Sequence, residues 1–243
     1  MSLEPSTQEN ERRVPAGDAR RSESAVTAIV ARLEEDIVLG RLHPRERLIE
    51  DALIARFAAK RHAVREALSR LERMGLVERQ PNRGAAVRAL TPREVEEIYA
   101  VREILEGAAA QLIAARATPA LIDEFASAQR AHDAAAAAKD TDTAFRANIA
   151  FHRAFFAACG NAELAQAIDH FAQKAHGVRS FGLSLPGYLE QARDEHRAMI
   201  EALRARDGEN LASLCREHIR TAKLAYIEAY QRRFRDDASS PRD

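Results

Sequence analysis

Apolar residues recur at helical spacing along most of this chain, and the places where that rhythm breaks divide it into elements. Val26, Ile29, Val30, Leu33 and Ile37 share one face of a helix that starts near Ser24 and is stopped by Gly40. A short helix over 51–57 follows, carrying Leu53, Ile54 and Phe57. After a tight break at Ala58 to Lys60, a further helix runs from Arg61 to about Met74 and ends at Gly75. The period then changes. Residues 76–80 and 85–88 read as two short strands, and Pro81-Asn82-Arg83-Gly84 between them suits a hairpin turn.

Thr91-Pro92 has the form of an N-cap followed by proline at the first helical position, which sets a domain boundary near residue 90. Beyond it the spacing predicts helices near 92–116, 119–139, 141–159, 161–180, 187–206 and 208–233, joined by short turns. About six helices with such loops make an antiparallel bundle. The fold class expected is therefore mainly α: an N-terminal winged helix-turn-helix over 23–90 and a C-terminal all-α bundle over 91–235. The polar residues 1–22 read as a disordered arm and 236–243 as a disordered tail.

Composition supports this reading and narrows the function. Aromatic residues are only 5% and tryptophan is absent, which disfavours a many-stranded sandwich. Cys159 and Cys215 are too few for a disulfide scaffold and sit within apolar helical patterns. No apolar stretch suits a signal peptide or a membrane span, so the expectation is a cytoplasmic protein without membrane contact. The formal net charge is zero. It is a cancellation, because the first 90 residues hold a small basic excess and the remainder the matching acidic one. From Arg56 to Arg88 the chain has nine basic residues and three acidic ones, a local surface suited to phosphates.

Helix, tight turn, helix and wing is the order in which the second helix enters a DNA major groove. Val64, Ala67, Leu68, Leu71 and Met74 form its core face, leaving Arg61, His62, Arg65 and Ser69 outward. Arg61 and Arg65 lie one turn apart and can reach guanine edges or phosphates together. Arg83 at the wing tip can reach phosphate or the minor groove, and Gly84 lets the backbone approach closely. The competing reading of an arginine-rich helix is a solvated face; the turn spacing, the wing and the local charge together favour DNA. Gly40-Arg41-Leu42-His43-Pro44-Arg45-Glu46-Arg47-Leu48, Val64-Arg65-Glu66-Ala67-Leu68, Leu71 to Val77 and Arg83 to Val87 resemble the DNA-binding domain of GntR-family transcriptional regulators. That resemblance implies operator contacts by Arg61, Arg65 and Gly84. The chain departs from the family at Arg45, where glycine is common, and at Lys60-Arg61-His62-Ala63.

Three histidines fall on apolar stripes of different helices: His152, with Asn148 one turn before it, His196 and His218. Burying several imidazoles without a common partner costs hydrogen bonds, and a divalent cation would satisfy all three. Zinc, nickel, manganese and iron all suit imidazoles with a carbonyl oxygen. The other histidines do not share this arrangement. Arg102 lies on the inner stripe of its helix and requires an anion, either a bundle carboxylate or a ligand carboxylate bridging to a metal.

Residues 92–232, through Arg102-Glu103-Ile104-Leu105-Glu106, Phe151-His152-Arg153, Gly160 to Leu164, Glu195 to Ile200 and Glu217-His218-Ile219, resemble the FadR-type effector domain, FCD. The resemblance implies a helical bundle holding a metal and a small organic acid, with the family's Asp-x-x-x-His pair falling on Asn148 and His152. The expected function is a metabolite-responsive regulator that dimerises on double-stranded operator DNA and represses through it. Two alternatives remain at this point: a three-His metal hydrolase, for which no general base is evident, and a helical adaptor whose buried histidines only fix packing.

Overall fold

The computed structural model describes residues 16–80, 84–183 and 185–239. Residues 1–15 of the expected arm, the wing tip 81–83 with Arg83, and residues 240–243 of the expected tail lie outside the described residues. Helix α1 (Ala16–Val38) is followed by strand β1 (Arg47–Leu48), α2 (Glu50–Phe57), α3 (Arg61–Arg73), β2 (Val77–Gln80) and β3 (Gly84–Val87). The apolar period first becomes visible at Ser24, whereas the helix begins at Ala16; the intervening Ala and Arg residues form helix without displaying an apolar face.

Leu33, Val64, Ala67, Leu68 and Leu71 form the centre of this domain's core. The break between α2 and α3 is closed by Ala58 in the left-handed conformation (φ 46°) and by Lys60 in an extended one. The sheet order is β1-β3-β2, all antiparallel, with Leu48 opposite Ala85 and Val77 opposite Val87. β1 has only two residues, too few to show an alternation in sequence. Buried Asp36 at the end of α1 accepts from Arg41 Nε (2.8 Å) and Arg56 Nη2 (2.5 Å), tying α1 to its following loop and to α2.

The second half is helical throughout: α4 (Pro92–Ala115), α5 (Pro119–Ala137), α6 (Thr141–Ala157), α7 (Ala162–Lys174), α8 (His176–Leu183), α9 (Tyr188–Arg204) and α10 (Gly208–Ser239). The start of α4 carries a full capping box: Thr91 Oγ1 accepts from Glu94 N (3.3 Å) and Glu94 Oε2 from Thr91 N (2.9 Å). Glu94 also accepts from Arg88 Nη2 (2.5 Å), and Tyr226 on α10 donates to Leu90 O (3.0 Å), so the junction is fastened from both sides.

The helix expected over 161–180 is two helices, broken at buried Ala175. No Gly or Pro stands at that residue. The turn is set by packing, since it brings Ala175, His176, Val178 and Arg179 all inside. On α4 the inner stripe runs through Val95, Tyr99, Arg102, Glu106, Ala109 and Ile113, while Leu112, expected inside, is 41% exposed. Phe125, Phe151, Phe155, Met199 and Leu203 fill the bundle core.

Candidate functional site

α3 presents Arg61 and Arg65 on its solvent side, both more than half exposed. Each is held by an acid on α2: Arg61 Nη2 lies 2.7 Å from Asp51 Oδ1, and Arg65 Nε lies 2.9 Å from Glu50 Oε2. Exposed pairs of this kind hold about 1 kcal/mol or less, so a phosphate or a guanine edge can displace them. Glu50 and Asp51 lie in the first turn of α2 rather than on α3, so the periodicity of α3 does not point to them. His62 is exposed beside Arg61. Gly84 opens β3 at φ 80° with nothing within 4 Å of where a Cβ would stand, so the position needs glycine for its backbone angle and leaves room for a partner.

α6, α9 and α10 bring His152, His196 and His218 together. Nε2 of His152 lies 3.0 Å from Nε2 of His218 and 3.2 Å from Nε2 of His196. Nδ1 of His218 donates to Glu195 Oε2 (2.6 Å) and Nδ1 of His196 to Gln129 Oε1 (2.8 Å). These two outer partners place the ring protons on Nδ1 and turn the Nε2 lone pairs inward, as second-shell groups do for metal-ligating histidines. Burial, ahead of neighbouring charges, holds His152 and His196 well below the usual imidazole range, so the rings are neutral and able to ligate. Asn148, one turn before His152, is buried with its Oδ1 unpartnered among the described residues. Nε2 separations of this size match those of adjacent nitrogens about 2.1 Å from one ion, and Asn148 supplies an oxygen that lacks any other partner. The donor set fits a divalent cation.

Against this cluster lies a cavity of about 60 Å³ whose lining includes Arg102, Glu106, His152, Arg153, His176 and Arg179. Arg102 Nε donates to buried Glu106 (2.8 Å), while its Nη1 is buried without a partner. The bundle carboxylate thus satisfies one edge of Arg102, and the other has no partner among the described residues. Arg179 and His176 reach the cavity from α8; sequence periodicity did not single them out because the break at Ala175 sets their direction. Gln129 and His132, on α5, were also missed. His132 is fully enclosed, 5.5 Å ring to ring from His196, and neither of its nitrogens has a hydrogen-bond partner among the described residues.

The same wall faces the reader domain. Arg146 on α6 pairs with Glu35 on α1, Asp142 with Arg41 (2.5 Å), and His176 Nε2 lies 3.7 Å from Glu34 Oε1. A second cavity, about 630 Å³, opens between α1 and α6 and shares Ile149, Arg153 and His176 with the first.

Comparison with known proteins agrees with both halves. The FCD domain matches residues 97–221, and the bacterial regulatory proteins of the gntR family match residues 25–87. The chain is 29% identical over 197 residues to the HTH-type transcriptional repressor GlaR of Escherichia coli (strain K12), covering 78% of this chain and 90% of that one. It is 27% identical over 201 residues to the HTH-type transcriptional regulator LutR of Bacillus subtilis (strain 168), covering 74% and 91%. Among solved structures, a GntR regulator from Rhodococcus sp. RHA1 superposes with a TM-score of 0.72 at 24% identity, covering 85% of this chain and 99% of that one. E. coli McbR/YncC superposes with a TM-score of 0.69 at 21% identity, covering 86% and 98%.

Proposed function

Because the chain belongs to the gntR family of bacterial regulatory proteins and carries their FCD domain, making it a DNA-binding transcriptional regulator and not an enzyme, we propose that it senses a small carboxylate beside a divalent metal. In this reading residues 23–90 read operator DNA and residues 91–235 hold the ligand. His152, His196 and His218, with Asn148 as a neutral fourth donor, would hold zinc, nickel, manganese or iron. The ion would supply an open position for a carboxylate oxygen whose partner on the protein is Arg102. The observation that carries this reading is the convergence of three Nε2 atoms, with His152 of that cluster lining the same small cavity as Arg102, whose buried Nη1 has no partner among the described residues.

Arg61, His62, Arg65, Arg83 and Gly84 are the proposed DNA contacts. A homodimer on a pseudo-palindromic operator is part of the proposal. Exposed Ile104 (70%), Leu112 and Leu224 (53%) on α4 and α10, helices that pack on each other, support it as apolar surface for a second copy. Repression and a cytoplasmic location are proposed with it; no helix among the described residues is long and apolar enough to cross a membrane.

Elemental analysis of the purified chain and of His196→Ala tests the metal centre. Wild type is expected to retain about one divalent ion per chain, and the variant, left with two histidines, to lose it at least tenfold more readily. Full occupancy in the variant, or no ion bound by wild type after loading and desalting, would overturn the ligand set.

A further inference from the structure

We propose that the cavity selects a ligand with two acidic groups, and that Arg179 is the residue imposing that requirement; this rests on the carboxylate-sensor reading above. The buried charges do not balance. Arg102 and Arg179 are both enclosed, and among the described residues Glu106 is the one buried carboxylate in the cavity lining. Glu106 is already committed to Arg102 Nε. Arg179 has no hydrogen bond or ion pair among the described residues; its guanidinium lies 5.7 Å from the Phe145 ring centroid, a contact that leaves its N–H groups unspent. A guanidinium does not escape burial by losing its proton. Burial, with the Arg102 charge added, already presses the Arg179 pKa down.

The remaining groups around the cavity do not supply the missing charge. Arg153 and Asp169 satisfy each other at the rim (2.8 Å). His176 is buried, with Nε2 3.7 Å from Glu34 Oε1 and Nδ1 without a partner among the described residues. The walls therefore carry one uncompensated positive charge, and a divalent ion at the histidines adds two more. One carboxylate can occupy the metal side and Arg102 Nη1. A second is needed for Arg179, with His176 Nδ1 beside it as a further donor.

Size narrows the class. The cavity of about 60 Å³ is the space of about two waters at liquid packing. Such a volume excludes long acyl chains, and within the two-acid class it favours short members of about four carbons or fewer. Ile149, Phe156 and Ile168 also line the cavity and supply apolar surface for methylenes.

The experiment compares succinate with succinamate, an isostere lacking one charge, by calorimetry on the metal-loaded full chain. Wild type is expected to prefer succinate by about tenfold or more, the scale of one charge-assisted bidentate contact. In Arg179→Gln the preference should fall to about twofold or less with metal content unchanged, while Arg179→Lys, which keeps a point charge, should retain part of it. Equal affinity of wild type for the two ligands, or full preference in Arg179→Gln, overturns the two-acid assignment and leaves the sensor reading standing. If metal-loaded wild type binds neither of these nor acetate nor lactate, the sensor reading itself falls.

Discussion

Acidifying the metal-free protein exposes the cost of its enclosed imidazoles. His176 and His196 are 2% and 0% exposed, and burial holds both well below the ordinary imidazole range. In the unfolded chain the same rings take up protons as the pH falls through about 6.5. The unfolded state then binds more protons than the folded one, so stability must fall with falling pH over that window. Between about pH 7.5 and pH 5.5, a ring that stays neutral in the fold forfeits about 1.4 kcal/mol. Two such rings lose about 3 kcal/mol, a sizeable share of the roughly 5–15 kcal/mol typical of a domain. His152 is also held well below the ordinary range by burial and shifts stability in the same direction. Glu34 opposes it: burial raises its carboxyl pKa, so acidification favours its folded form slightly. Urea denaturation followed by circular dichroism at the two pH values, in the presence of a chelator, measures the difference. Superimposable curves, or greater stability at the lower pH, would refute the claim that these rings are buried neutral.

Three further outcomes are expected. Arg65→Ala should weaken operator binding about tenfold or more while leaving helicity intact, because the side chain is exposed and paired only with Glu50; an unchanged gel-shift affinity at physiological salt counts against α3 as the reading helix. Arg102→Ala should weaken the effector's influence on DNA binding more than DNA binding without effector, as a titration of operator affinity against ligand will reveal; equal sensitivity removes the carboxylate clamp. Thr91→Ala breaks the capping box and should cost about 1 kcal/mol in thermal or urea unfolding, with no change in metal content; no measurable loss would mean that Arg88 and Tyr226 alone hold the junction.

Long elements with one dominant period were legible in the sequence. The faces of α3, α9 and α10 follow from residues such as Leu68, Met199 and Ile219, because a helix lying on a core advertises its buried stripe. His152, His196 and His218 were found by the same means, as polar residues occupying apolar positions. What the pattern did not carry depends on contacts between distant segments. The bend at Ala175 lacks a helix breaker, so Arg179 and His176 appeared as ordinary positions on a longer helix. Gln129 and Glu195 orient the histidines, but nothing in their own helices marks them; their roles come from the meeting of α5 and α9 with the site. Glu50 and Asp51 gained meaning only once α2 was set across α3.

The contacts of α1 and its following loop with α6 and α8 bear on how such proteins can be recombined. Glu35 with Arg146, Arg41 with Asp142, and Glu34 beside His176 all cross the boundary at residue 90 that the chain itself crosses only once. A hybrid made by joining residues 1–90 to another sensor would preserve the covalent link and lose these three matches. The shorter graft that keeps them is unusual: it exchanges α2, α3 and the wing while retaining α1 and the loop through Arg41 with the recipient bundle, so that the portable unit of DNA specificity is smaller than the folded domain that carries it.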